Sequence, residues 1–155
     1  MNLSERIVDA GLSLPRYLPP AYAYQAVTVH NGLAYVSGHV PKTETGDLYP
    51  GKVGRDVTVD QGRAAAELAT LNALSSLDHA LGGLDRIERV LKLMVFVASA
   101  PEFNGQPKVA DAASTLLNTI FGNDKRHARS AVGVSELPRN SSVEVEMIVA
   151  LTSET

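Results

Sequence analysis

The chain has 155 residues, enough for one domain with a sizeable core, and 45% of them are apolar against 20% charged, as in ordinary soluble globular proteins. The formal net charge is −3, so no global positive field draws nucleic acid. With no cysteine, disulfides, thiolate metal sites and cysteine nucleophiles are excluded. No stretch reaches the roughly 20 apolar residues of a membrane span, and the first residues lack a signal-peptide apolar run. The expected compartment is cytoplasmic, with no membrane partner.

"ERIVDAGLSLP" reads as a short leading helix stopped by Gly11 and Pro15. "RYLPPAYAY" is extended. "QAVTVHNGLAYVSG" is a hairpin: two β-rich runs flank His30-Asn31-Gly32, and Asn-Gly supplies the positive φ angles of a tight turn. Residues 40–57 read as a long loop with a short strand. Thr58 and Gln61 have capping-box spacing, and Leu68, Leu71, Leu74, Leu77 and Leu81 recur as one helical stripe that Gly82-Gly83 ends.

"IERVLKLMVFVAS" is continuous enough for a central strand buried on both faces. A second helix covers 106–121, where Val109, Ala112, Ala113, Leu116, Leu117, Ile120 and Phe121 fit the i, i+3, i+4, i+7 pattern. A closing hairpin turns at Leu137-Pro138-Arg139-Asn140 and ends in a strand over 142–151. The order ββαβαββ predicts an α+β fold with a mixed sheet and both helices on one face. One domain over residues 1–155 is expected, with 1–19 as an N-terminal extension.

Two decoys fail on chemistry. "GDLYPGK" (46–52) matches most of a phosphate-binding loop, but Val53 stands where a magnesium-ligating hydroxyl is needed and Pro50 removes an N–H. His30, His39, His79 and His127 lack zinc-ligand spacing, so no metal is expected. The basic run "DKRHAR" (124–129) is too small for a nucleic-acid surface, and five tyrosines, three phenylalanines and no tryptophan give few stacking platforms.

On the last strand, Val143, Val145, Met147, Val149 and Leu151 form one apolar face, while Glu144, Glu146, Ile148 and Ala150 share the other. That mixed face suits a cleft or a contact with another chain. On the preceding strand Arg129 lies on a side with Ala131, Gly133 and Ser135, opposite Ser130, Val132 and Val134. Small neighbours leave room for a guanidinium to grip a carboxylate with two parallel bonds; a solvated arginine is the alternative. Paired as a hairpin, Arg129 and Glu144 stand roughly 20 Å apart. To share a small ligand, one must come from a neighbouring subunit.

"HARSAVGVSELPRNSSVEVEMIVA", "LAYVSGHVP" and "VLKLMVFVASAPEF" resemble the signatures of the YjgF-type Rid family, the reactive-intermediate deaminases, over about residues 20–151. The resemblance implies a chorismate-mutase-like α+β subunit, assembled as a homotrimer with clefts between subunits. It also implies cofactor-free hydrolysis of enamines and imines to 2-keto acids and ammonia. Arg129 matches the arginine that holds the substrate carboxylate, and Glu144 the glutamate that orients the attacking water; strand parity alone does not separate Glu144 from Glu146. Gly38 and Ala131 match positions whose backbone faces the ligand, and Ser37 matches polar lining. The family's pocket tyrosine aligns with Ala23, flanked by Tyr22 and Tyr24. Its glutamine is His39, its cysteine is Ala131, and its helix asparagine has no clear match in "KVADAAS". The same trimer could instead bind a 2-keto acid without turning it over.

Overall fold

The computed structural model describes residues 1–153; the last two residues of the expected domain, 154 and 155, lie outside the described residues. A helix α1 (Leu3–Asp9) starts at an Asn2–Glu5 capping box, and its Ile7 is buried in the core. The hairpin of β1 (Val27–His30) and β2 (Leu33–His39) turns as expected, with Asn31 at φ 49° and Gly32 at φ 74°. The expected loop carries a two-residue ladder, β3 (Lys42–Thr43) with β4 (Gly46–Asp47).

Helix α2 (Val59–Leu81) begins at Thr58, whose hydroxyl accepts from Gln61 N while the Gln61 side chain accepts from Thr58 N. Its buried face corrects the leucine stripe. Gly62, Ala65, Ala66, Ala69, Ala73, Leu74 and Leu77 are buried, whereas Leu68, Leu71 and Leu81 flank the contact half-buried. The sheet beneath already contributes bulky Val36, Val145, Met147 and Val149. A helix meeting such a surface packs closely through small side chains, because interior volume is fixed.

Strand β5 (Ile87–Ala98) leads through α3 (Gln106–Phe121) to β6 (Ala128–Val134), and β7 (Val143–Leu151) closes the sheet. The sheet order is β1-β2-β7-β5-β6, with β5 and β6 parallel and all other pairs antiparallel. The architecture is the expected α+β fold: α2 lies over β2 and β7, α3 over β5 and β6. All seven residues of the predicted α3 stripe are buried, as is the apolar face of β7.

The closing hairpin is not formed. β6 and β7 flank β5 on opposite sides, joined across it by residues 135–142. The 16 residues of α3 supply the crossover that a parallel β5–β6 pair needs, and β7 takes the other edge of the same apolar strand. Nor is β5 covered twice. Ile87, Val90, Leu93, Val95 and Val97 are buried under the helices, while Lys92, Met94 and Phe96 on the other face are half-exposed.

Candidate functional site

The register of β2 and β7 slips between Val36↔Met147 and His39↔Val145, so Ser37-Gly38 forms a bulge with one residue more than the facing strand. The bulge lies beyond the end of β1, which stops pairing at Val27↔Val36. It opens a cleft of about 840 Å³ between the segment 16–26, the end of β2 and the start of β7. Six of the eight predicted site residues line it: Tyr22, Tyr24, Ser37, Gly38, His39 and Glu144.

The Glu144 carboxylate lies directly over Gly38. A β-carbon at residue 38 would stand 2.0 Å from Glu144 Oε1, so only glycine admits the side chain there. Among the described residues Glu144 has no hydrogen-bond or ion-pair partner. Burial, helped by the neighbouring Glu146 charge, pushes its carboxyl above the usual range. Glu146 also lines the cleft and faces a shallower hollow beside Lys92, Met94 and Ile148.

His39 is locked in one tautomer. Its Nδ1–H donates to the Ser37 carbonyl at 2.7 Å, so Nε2 accepts from the Ser76 hydroxyl at 2.7 Å. Burial lowers its pKa, against the smaller raising effect of the Ser37 carbonyl, which keeps the ring neutral. The Ser37 hydroxyl donates to the Gln25 carbonyl at 2.6 Å, fastening the segment that carries Tyr22 and Tyr24. Farther along, Tyr17 stacks on His79 with ring centres 4.0 Å apart, and Ser75 donates to the Pro15 carbonyl.

Arg129 and Ala131 do not line this cleft. Arg129 is level with Leu93 and Met147, on the side of the sheet covered by α3. Glu144 is level with Phe96 and Val132. Three residues along and two strands across, the backbones are about 14 Å apart, which replaces the hairpin distance. The expected room above the small-residue face of β6 is occupied: Ala131 packs on the core, and a β-carbon on Gly133 would stand 2.7 Å from Gln106 Nε2. Arg129 Nη1 donates to Asp111 Oδ1 at 2.6 Å and to Ser114 Oγ at 3.1 Å, and Ser114 Oγ lies 2.9 Å from His127 Nε2. Burial, then the Arg129 charge, lowers the His127 pKa.

Sequence reasoning missed the opposite wall. Arg139, at φ 62°, donates from Nε to Oδ1 and Oδ2 of Asp47 at 3.1 and 3.3 Å, and its Nη2 forms an ion pair with Oδ1 at 3.0 Å. Ser141 Oγ donates to Asp47 Oδ2 at 2.6 Å. The partners are 92 residues apart in the chain, a separation at which no local pattern operates. Arg139 and Lys42 both line the cleft. Among the described residues no three His, Cys, Asp or Glu side chains gather as for a metal, and no helix is long and apolar enough to cross a membrane.

Fold and cleft together define an α+β protein of the chorismate-mutase-like class, with a carboxylate, unpaired among the described residues, set over a glycine bulge. The family model described as "YjgF/chorismate mutase-like, putative endoribonuclease" matches residues 4–151, and the chain belongs to this family, the YjgF/Rid family. It is 42% identical over 144 residues to Protein TCP17 of Trypanosoma cruzi, covering 92% of this chain and 90% of that one. It is 30% identical over 148 residues to the 2-iminobutanoate/2-iminopropanoate deaminase of Dermatophagoides farinae, covering 95% and 97%. The crystal structure of protein Atu1372 from Agrobacterium tumefaciens is similar at TM-score 0.87 and 42% identity, covering 97% of this chain and 92% of that one.

Proposed function

We propose that the chain is an imine deaminase, hydrolysing enamine-derived imino acids to 2-keto acids and ammonia without a cofactor. The observation that carries this reading is Glu144: half-buried, without a partner among the described residues, its carboxyl raised, in a cleft of a family that includes an imine deaminase. A protonated imine carbon is already electrophilic. Water adds to it, Glu144 accepting the proton, and the tetrahedral amino alcohol forms. Glu144 then returns a proton to the nitrogen, the C–N bond breaks, and ammonia leaves as the carbonyl forms and Glu144 takes the hydroxyl proton. A carboxyl raised toward neutrality serves as both base and acid better than one of ordinary pKa.

Arg129 is the proposed carboxylate clamp. Since it lies about 14 Å from Glu144 and on the other side of the sheet, the clamp in each cleft belongs to a neighbouring copy, within a homotrimer. Asp111 and Ser114 engage only Nη1, which leaves Nε and Nη2 for a bidentate carboxylate. Glu144→Gln should lower the rate of ammonia release from freshly generated 2-iminobutanoate by about 10²–10⁴-fold. Arg129→Ala should raise KM, and sedimentation should give a trimer. A monomer, or unchanged hydrolysis in both variants, would end this reading.

A second reading, a trimer that binds a 2-keto acid without turnover, is favoured by the altered pocket wall, with Ala23 at the position of the family's tyrosine and no clear match in "KVADAAS" for its helix asparagine. Keto-acid binding without ammonia release from any imine would select it.

A further inference from the structure

Resting on the deaminase reading and naming its substrate class, we propose that Lys42 and Arg139 form a second anion subsite in the Glu144 cleft. The substrate is then a 2-imino acid bearing a second carboxylate, a dicarboxylic imine of four or five carbons.

The argument starts from the β3–β4 ladder, where Lys42 stands directly opposite Asp47. Cross-strand partners on one face normally satisfy each other when their charges are opposite. Asp47 instead gives its carboxylate to Arg139 and Ser141. Lys42, a half-buried residue on the cleft wall, is left with its ammonium without a hydrogen-bond or ion-pair partner among the described residues. Its backbone is not free to swing away, because Asn72 Nδ2 donates to the carbonyls of Val40 and Lys42, each at 3.0 Å.

Arg139 is the more rigid half. The Asp47 side chain is 3% exposed, against 49% for Arg139, so the guanidinium is anchored on a buried acid. Two of its three nitrogens face Asp47, and Nη1 has no partner among the described residues. An anchored fork with a free nitrogen loses little freedom when it takes a carboxylate oxygen.

Charge placement fixes the orientation. Glu144 and Glu146 line the same cleft as the two cations. An iminium settles by the acids, and a side-chain carboxylate is repelled there and drawn to Lys42 and Arg139. At about 840 Å³ the cleft exceeds what a three-carbon imino acid needs, standing near the upper end of the roughly 300–1,000 Å³ usual for drug-sized ligands.

The test is calorimetry of the full-length protein with two product-like keto acids, 2-oxoglutarate and 2-oxobutanoate, alongside ammonia release from 2-iminobutanoate. Wild type should bind 2-oxoglutarate about ten-fold or more tighter, the usual weight of one or two charge-assisted bonds. Lys42→Met and Arg139→Gln should each bring the ratio of the two affinities toward one. Arg139→Gln strips the partner from a buried acid and can lower the melting temperature; Lys42→Met breaks no bond among the described residues and keeps the test decisive. Equal affinities in wild type, no binding of either acid, or a preference that survives both substitutions would overturn the subsite. Hydrolysis of 2-iminobutanoate with equal keto-acid affinities refutes the subsite alone. A Lys42-dependent preference for 2-oxoglutarate with no ammonia from any imine, dicarboxylic ones included, refutes the hydrolysis alone.

Discussion

The two faces of the sheet differ in completeness. Under α2 and α3, Leu93, Val95, Val97, Val143, Val145 and Val149 are wholly buried. On the other face Met94, Phe96 and Ile148 are half-exposed, and Tyr35 and Val132 are 45% and 40% exposed. One chain finishes the first face by itself. The second carries more apolar surface than a solvated sheet needs, interleaved with Lys92, Glu144 and Glu146. Stability belongs to the first face; the second carries Glu144 and the proposed assembly, while the proposed clamp Arg129 stands at the α3 side of the first.

The largest expected effect sharpens that contrast. Leu93→Ala removes a wholly buried side chain and should cost about 3 kcal/mol in urea unfolding, whatever the protein concentration. Phe96→Ala, three residues on and facing the other way, should cost stability only through association, so its effect depends on protein concentration. A concentration-independent loss equal to that of Leu93→Ala would erase the distinction between the faces.

Next comes Gly38→Ala. The new methyl would meet Glu144 Oε1 at 2.0 Å and displace it. Shifting a reacting group by about 1 Å costs on the order of 10²-fold, so ammonia release should fall by about that factor while urea unfolding stays near wild type. An unfolded variant would make the bulge a structural element and not a functional one.

Glu144→Gln should act oppositely on stability and on rate. The folded-state pKa of Glu144 lies above its unfolded value, so folding is favoured with the carboxyl protonated, and that contribution is lost as pH rises through the folded pKa. Removing the charge should raise the melting temperature at pH 7, and the gain should vanish below the normal glutamate pKa. A melting temperature lowered at pH 7 would mean that the carboxylate has a stabilising partner.

The smallest effect concerns His39. Its folded pKa is depressed, so stability is complete above the unfolded value near 6.5 and declines as pH falls toward the folded value. His39→Gln should flatten part of that decline in melting temperature between about pH 7 and 5; a slope unchanged from wild type would assign the decline to His127 or other groups.

Much of this was legible in short windows. The Asn31-Gly32 turn, the Thr58–Gln61 capping box and the α3 stripe are set by residues within a few positions of one another, and each formed as expected. The partner of β6 was not legible: alternation tells which residues form a strand but not which strand lies beside it. The α2 contact was misread because its leucines are conspicuous, while the packing surface is the alanine row that the bulky sheet selects. Glu144, Ser37 and Gly38 were visible through the family resemblance, but the bulge that Ser37-Gly38 forms was not. The wall made by Lys42, Asp47 and Arg139 was not, since its members come from three separate segments.

By itself the sequence determined the elements, their order, the buried side of β7 and the absence of thiol chemistry, because local periodicity, turn geometry and residue type act within a few positions. Only tertiary structure decided that β5 separates β6 from β7, that Arg129 and Glu144 lie on different sides of the sheet, and that a buried Asp47 is committed to Arg139. Those outcomes depend on which distant surfaces share one core volume and which opposite charges meet, and neither is written in any single stretch of chain.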